Sequence, residues 1–477
     1  MINFCNFWSF NEWIVMEENK QKKSPKKSPD KPLGFAQKAW QKLCCLFVVL
    51  FYKKIEVSGA HQLDNNRPVI LCANHSNALA DAVLLQYTSK RLIHPLARSG
   101  LFKNPILKII LSVWQAVPVY RKQDSDEGAV DNDAMFSKAY EMLANNEVLM
   151  IFPEGQSHSD LHLRQIKTGI SRIALGYKEK YNEFPLIIPV GLNFTNTIKF
   201  RSNVYIKFGD PLEISENLVV SNKQDIKDLT QDIMNAMKDL VLEVDEIEDL
   251  LFVQQVERFF SLRHKKSRER NLSQKFKSHK LLLSVHDYLH HEVPDKIKSF
   301  KVHLRHFNRL CYRLGISDYN LSVRYNSQVV RRFILRSLFM ILIMFPIGLL
   351  GFINSFMPYL LTKLSTKLLS KGKDQYDTTK ILTGTLFFGL FWFIQARFVY
   401  EFFGLNISLF YIVMLIPTSL MALLIEREQA QIIDSLRVFI ILLRKSSLRR
   451  YLLKRRKSIE KELADLVKVA KNITRNK

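Results

Sequence analysis

From residue 54 to about 212 the chain alternates short apolar runs with stretches whose apolar residues return every three or four positions. The runs KIEVSG, PVILCAN, LIHPLA, AVPVYR, EVLMIFPEG, PLIIPVGLNF and NVYIKFGD are rich in Val and Ile and bounded by Gly, Pro or Asn, which reads as strands. Between them NPILKIILSVWQ, DAMFSKAYEMLANN and GISRIALGYKEKY have helical periodicity. Nearly continuous apolar strands imply burial on both faces. The pattern predicts an α/β domain over 54–212, with a mostly buried sheet flanked by helices.

The flanking segments read differently. Residues 1–37 include a polar tract rich in Pro and Lys, expected to be disordered, and their opening lacks the basic start and cleavage site of a signal peptide. Residues 38–53, KAWQKLCCLFVVLFYK, hold an apolar stretch well short of the roughly 20 residues that a bilayer span needs. An amphipathic helix in the membrane interface, or tucked against the core, is expected there, with its lysines reaching to headgroups. Residues 213–330 are long, charged and helix-periodic. Within them His286 and His290 stand four apart, a spacing that suits a metal pair; with no matching acid evident on another element, a solvated helix face is the expectation.

Residues 331–426 are membrane-like, with three long apolar runs rich in Phe and Leu. The first carries Pro346, Asn354 and Pro358; the other two are nearly uninterrupted. Lysines collect over 362–380, and Arg and Lys crowd the tail, 427–477. The excess of positive charge on the cytoplasmic side then puts both in the cytoplasm, with 400–405 as the outer turn between two spans. The first run is expected to re-enter on the same side, breaking near Asn354–Pro358, with a third span as the alternative.

Composition adds one constraint. The net charge of +25 calls for an anionic partner, and the apolar runs favour anionic membrane lipids over nucleic acid, for which no recognisable module is present. The five cysteines have no metal-type spacing, so no metal and no oxidising compartment is expected.

Four clusters in the α/β segment can carry chemistry. In NHSNALAD, a histidine that takes a proton from a hydroxyl has a carboxylate six positions on to orient it: His75 and Asp81. Alone, the stretch reads equally as a helix cap. QAVPVYR delivers Arg121 to a strand end, where planar donors grip phosphate oxygens in pairs. IFPEGQSHS sets Glu154 and Gly155 at the end of another strand, followed by Ser157 and His158, and suits polyol binding. Downstream, Lys167 and Gly169 open a helix, where amides and a lysine favour an anion. In LIIPVGLNF, Pro189 implies an edge strand or a bend.

Together NHSNALAD, VPVYR, FPEGQSHSDLHLRQIKTG and IIPVGLNF resemble the phospholipid/glycerol acyltransferase superfamily, over roughly residues 54–212. The longer His-to-Asp spacing, FPEGQSH and the C-terminal apolar runs resemble its subgroup of fungal-type glycerol-3-phosphate and dihydroxyacetone-phosphate acyltransferases. The resemblance implies His75 as general base and Asp81 as its partner. It implies Asn74, Arg121, Glu154, Gly155, Ser157, Lys167 and Gly169 at the acyl acceptor, and Pro189 in the acyl-donor region. It also implies an acyl thioester as co-substrate, no cofactor, and an integral membrane enzyme with its catalytic domain on the cytoplasmic face. Acylation of a lysophospholipid is the alternative acceptor reading; an inactive membrane-anchored scaffold is the alternative class.

Overall fold

Strand β2 (Val69–Ala73) is buried at every position, and its side chains divide alternately between two cores. Val69, Leu71 and Ala73 enter one; Ile70 and Cys72 enter the other. This period of two is the pleat of the strand, and it demands helices on both faces of the sheet. The computed structural model describes residues 34–64, 66–120, 132–196, 200–244, 246–263, 271–314, 316, 327–370, 376–444 and 446–475.

All seven expected strands are present: β1 (Lys54–Ser58), β2, β3 (Ile93–Arg98), β4 (Val117–Val119), β5 (Val148–Ile151), β6 (Leu186–Phe194) and β7 (Asn203–Phe208). They form one sheet in the order β1-β7-β6-β2-β5-β3-β4. Every pair is parallel except β6 with β7. One face packs on α1 (Phe35–Phe51), α2 (Leu79–Tyr87) and Trp114, which follows α3 (Pro105–Val113). The other packs on α4 (Asp133–Ala144), α5 (Gly169–Tyr181) and α6 (Lys223–Lys238). The stripe Ile226, Leu229, Ile233 and Met237 is buried on α6, so this helix, from the segment read as separate, belongs to the α/β layer.

Helix α1 buries the stripe Trp40, Cys44, Val48 and Phe51, and Trp40 meets Trp114 with ring centroids 5.0 Å apart. Its other side leaves Leu43, Leu46, Val49 and Leu50 exposed. The helix is therefore both docked on the core and apolar on its outer face.

The expectation that Pro189 marks an edge strand is corrected: β6 lies between β7 and β2. Pro189 pairs with Cys72 on the β2 side, and its carbonyl turns the other way to accept the Gly209 amide at 2.8 Å, just past the end of β7. The absent N–H faces that same side, where the β7 ladder has stopped, so no sheet hydrogen bond is lost.

The chain divides into two compact units, the first reaching residue 245 and including 271–276 and 369–381. In it, buried Glu56 on β1 accepts the amides of Leu272 and Ser273 at 2.6 and 2.9 Å, holding the first turn of α8 (Leu272–Glu292). Burial pulls the Glu56 carboxyl upward, but donors from Ser273, Leu272 and Lys54 outweigh it and hold it below its ordinary range.

In the second unit, α7 (Ile247–Arg263), the rest of α8, α9 (Pro294–Arg313) and α13 (Ser446–Arg475) surround a core that includes Val256, Leu289, Phe300, Leu304 and Leu452. The expected solvated face at His286 is corrected. His286 is buried, with Nε2 3.5 Å from Asp249 on α7, while His290 is exposed. Asp249 is the acid on another element, but Lys301 occupies it at 2.7 Å.

The apolar region of this unit follows α10 (Ser327–Phe339) and a π turn (Met340–Met344), with α11 (Phe345–Leu369) and α12 (Tyr376–Arg444). Ser337–Leu369 and Thr379–Ile425 are long and apolar enough to cross a membrane. The second is interrupted at Gly404 (φ 80°, ψ 179°), within the expected outer turn, and Ser408 folds back to donate to the Ala396 carbonyl at 2.8 Å. The break expected near Asn354–Pro358 is absent: α11 runs on with Pro358 inside it. Proline removes the amide that would reach the carbonyl four residues back, that of Asn354. Gln395 Nε2 donates to this carbonyl instead, at 2.9 Å, and Tyr411 donates to the Asn354 side chain at 3.1 Å. At Gly351 a Cβ would lie 2.0 Å from the Thr418 carbonyl, so a small residue is required where these helices meet.

Gln395→Ala is expected to lower stability in detergent by about 1 kcal/mol. The same change in a Pro358→Ala background should cost much less, because the introduced alanine restores the intrahelical donor; unfolding midpoints of the four combinations measure this coupling.

Candidate active site

The neighbouring parallel strands β2 and β5 bring their C-terminal ends to one edge of the sheet, which sets the two clusters that follow them side by side. Past β2, Asn74 extends the ladder with its side chain. Its Oδ1 accepts the Leu192 amide at 2.7 Å, and its Nδ2 donates to the Leu192 carbonyl at 3.1 Å. The amide group is thus committed to the backbone of β6.

Residues 77–80 then make a tight turn. The Ala80 amide donates to the Asn77 carbonyl at 3.0 Å, and Ala78 takes φ 44°, ψ −124°. This is the second position of a type II′ turn, where glycine is the usual residue. The turn resolves the spacing of His75 and Asp81. Helix α2 begins only at Leu79, so Asp81 lies in its first turn.

From there the buried Asp81 carboxylate faces back into the loop. Its Oδ2 takes the amides of Ser76 and Asn77, each at 2.7 Å, and lies 3.0 Å from His75 Nδ1. An oxygen already accepting two amides acts as acceptor to the ring as well, so Nδ1 donates and Nε2 keeps its lone pair. The Phe152 ring stacks on the imidazole, with centroids 4.0 Å apart and planes 12° apart. The geometry can therefore present an oriented base whose Nε2 is unengaged among the described residues.

Beyond β5, Gly155 has φ +77° and allows the sharp Phe-Pro-Glu-Gly turn; its amide donates to the Phe152 carbonyl at 3.0 Å. Glu154 is buried and hydrogen-bonded through Oε2 to His158 Nε2, while its Oε1 has no hydrogen-bond partner among the described residues. Ser157 is half-buried in the loop that follows. The Lys167 amide donates to the Pro153 carbonyl at 2.7 Å, and a Cβ at Gly155 would touch the Lys167 stem at 3.6 Å. Gly169 opens α5, with space where a side chain would be.

The structure thus brings together His75, Asp81, Glu154, Gly155 and Lys167. Pro189 is buried in the sheet, in register with Cys72 below the loop. Arg121 lies outside the described residues; before it, Asn132 pins both backbone groups of Tyr120 at 3.2 and 3.1 Å. Burial, and then the Glu154 carboxylate, push the Cys72 thiol well above its usual range, so it is no nucleophile. Among the described residues no three His, Cys, Asp or Glu side chains form a metal cluster. Sequence reasoning missed Phe152 and left His158 without a role. Their signals were adjacency to Glu154 and the histidine four residues after it.

Comparison with known families falls on this same stretch. A family model described as Acyltransferase matches residues 54–193. These residues form an acyltransferase-family domain. Glycerol-3-phosphate O-acyltransferase 1 of Saccharomyces cerevisiae is 33% identical over 138 residues, covering 28% of this chain and 18% of its own length. Glycerol-3-phosphate O-acyltransferase 2 of the same yeast is 26% identical over 136 residues, again 28% of this chain and 18% of its own. The lyso-ornithine lipid O-acyltransferase of Rhizobium meliloti is 29% identical over 140 residues, 29% of this chain and 44% of its length. The match therefore spans less than half of each relative. The stretch matched by the family model takes in the His75 loop, the Glu154 turn and Pro189.

Ala78→Gly is expected to stabilise the domain by roughly 1 kcal/mol, since glycine adopts the strained turn freely. Ala78→Val should destabilise it; denaturant titration of the detergent-solubilised chain compares the two.

Proposed function

We propose that the chain is a membrane-bound O-acyltransferase that moves a fatty acyl group from a thioester to a hydroxyl of glycerol-3-phosphate or dihydroxyacetone phosphate. The observation that carries this reading is the Asp81–His75 pair, with Nδ1 engaged and Nε2 left for substrate, inside an acyltransferase-family domain. Two relatives whose names specify glycerol-3-phosphate support the acceptor.

In this mechanism His75 Nε2 takes the proton of the acceptor hydroxyl as its oxygen attacks the thioester carbonyl carbon. The C–S bond breaks, and the leaving thiolate recovers the proton from Nε2. Asp81 holds the ring through Nδ1 and stabilises the imidazolium formed in between. The strained loop keeps the base placed before substrate arrives. Lys167, whose stem lies beside the Gly155 turn, and Arg121 are proposed as the cations for the acceptor phosphate, and Glu154 takes part in holding the acceptor. Asn74 and Pro189 contribute through the sheet, the first by fixing β2 to β6. The chemistry draws its driving force from the thioester and calls for no metal or redox cofactor.

The two apolar segments of the second unit supply the membrane attachment. Lysines over 362–380 and the basic tail support a cytoplasmic location for the catalytic domain. The exposed apolar side of α1 suits contact with a lipid surface. A lysophospholipid acceptor is the second reading, favoured by the likeness to a lyso-ornithine lipid acyltransferase.

With a radiolabelled acyl thioester, the purified chain is expected to acylate glycerol-3-phosphate. His75→Ala should abolish transfer, and Asp81→Asn should reduce it by roughly a hundredfold or more. Acylation of lysophosphatidic acid alone contradicts the acceptor assignment; a His75→Ala variant as active as the parent contradicts the enzymatic reading.

A further inference from the structure

His158 occupies an unusual position: one residue holds both the base loop and the Glu154 carboxylate. Its main-chain amide donates to the His75 carbonyl at 3.0 Å. Its ring is buried, with Nε2 hydrogen-bonded to Glu154 Oε2. At the other ring nitrogen, Nδ1 accepts the Asp160 amide at 3.2 Å. A backbone amide can only donate, so Nδ1 carries a lone pair and Nε2 carries the proton given to Glu154. The Asp160 carboxylate, 3.5 Å from Nδ1, is bound by Arg164, whose hydrogen bond holds it below its ordinary range.

The consequence concerns Glu154. A buried carboxylate with one oxygen satisfied and the other without a partner among the described residues is costly, unless a ligand supplies the missing donor. We propose that His158 is a positioning residue, fixing Glu154 so that Oε1 receives a hydrogen bond from the hydroxyl next to the one being acylated. This rests on the acyltransfer reading above and refines its acceptor. Glycerol-3-phosphate has two adjacent hydroxyls, one to react and one to donate. Dihydroxyacetone phosphate has a keto oxygen at that place, with no proton to give, and a 1-acyl lysolipid that reacts at its free hydroxyl has an ester there. Correct placement of Glu154 therefore matters most for the diol.

The test uses the full-length chain in detergent with an acyl-coenzyme A donor and two acceptors, glycerol-3-phosphate and dihydroxyacetone phosphate. His158→Ala is expected to raise KM for glycerol-3-phosphate roughly tenfold or more. KM for the acyl donor should stay within about twofold, and kcat/KM for dihydroxyacetone phosphate should fall several-fold less than for the diol. His158→Gln, which keeps an N–H donor at the end of the side chain, should recover most of the loss.

Equal losses with both acceptors, loss confined to kcat, or no rescue by glutamine each overturn the assignment. If the alanine variant does not fold, judged by size-exclusion profile and melting curve, the glutamine variant decides. Its acceptor preference must then match the parent, and a shifted preference overturns the proposal. A parent enzyme that acylates only a lysolipid overturns the underlying reading instead, an outcome visible before any variant is made.

Discussion

A single carboxylate oxygen, Oδ2 of Asp81, organises the loop between β2 and α2. It gathers two main-chain amides and the imidazole Nδ1 within 2.7–3.0 Å, in a place where the carboxylate is fully buried. A buried acceptor without these donors would be costly, and the donors without it would be orphaned at a helix start. The contact therefore fixes the loop and the ring together. It also offsets the backbone strain at Ala78, which the turn needs so that a carboxylate six residues along the chain can reach back.

The rest of the fold supplies an anchorage for this loop. Asn74 ties its beginning to Leu192, and His158 ties the carbonyl of His75 to the Glu154 turn. Phe152 closes over the imidazole from the end of β5. Each tie crosses from β2 to a neighbouring strand, β6 or β5, so the site's rigidity comes from the register of a sheet buried on both faces. The result is an imidazole fixed from several sides, with Nε2 unengaged among the described residues.

Much of this was legible in the sequence, for identifiable reasons. Runs of Val and Ile ended by Gly, Pro or Asn marked all seven strands, because buried parallel strands have little else to encode. The turn at Gly404 followed from the distribution of Lys and Arg around two apolar runs. What was hidden depended on partners distant in sequence. Pro189 looked like an edge residue, since nothing local says that β7 stops opposite it. Pro358 looked like a break, since its compensating donor, Gln395, sits on another helix. His286 looked solvated because Asp249 and the helix packing that buries it lie on other elements. Ala78 gave no turn signal, as the position usually calls for glycine. The apolar stripe of α6 was masked by its charged outer face.

The central claim is that Asp81 sets the tautomer of His75 and leaves Nε2 free for the acceptor's proton. Nitrogen-15 NMR of the histidine-labelled full chain, with His75 assigned by its loss in His75→Gln, tests this directly. The account predicts a protonated Nδ1 hydrogen-bonded to a carboxylate and an unprotonated Nε2 in the neutral ring, a preference that Asp81→Asn removes. A proton on Nε2, or a spectrum unchanged by the Asp81 substitution, would contradict it.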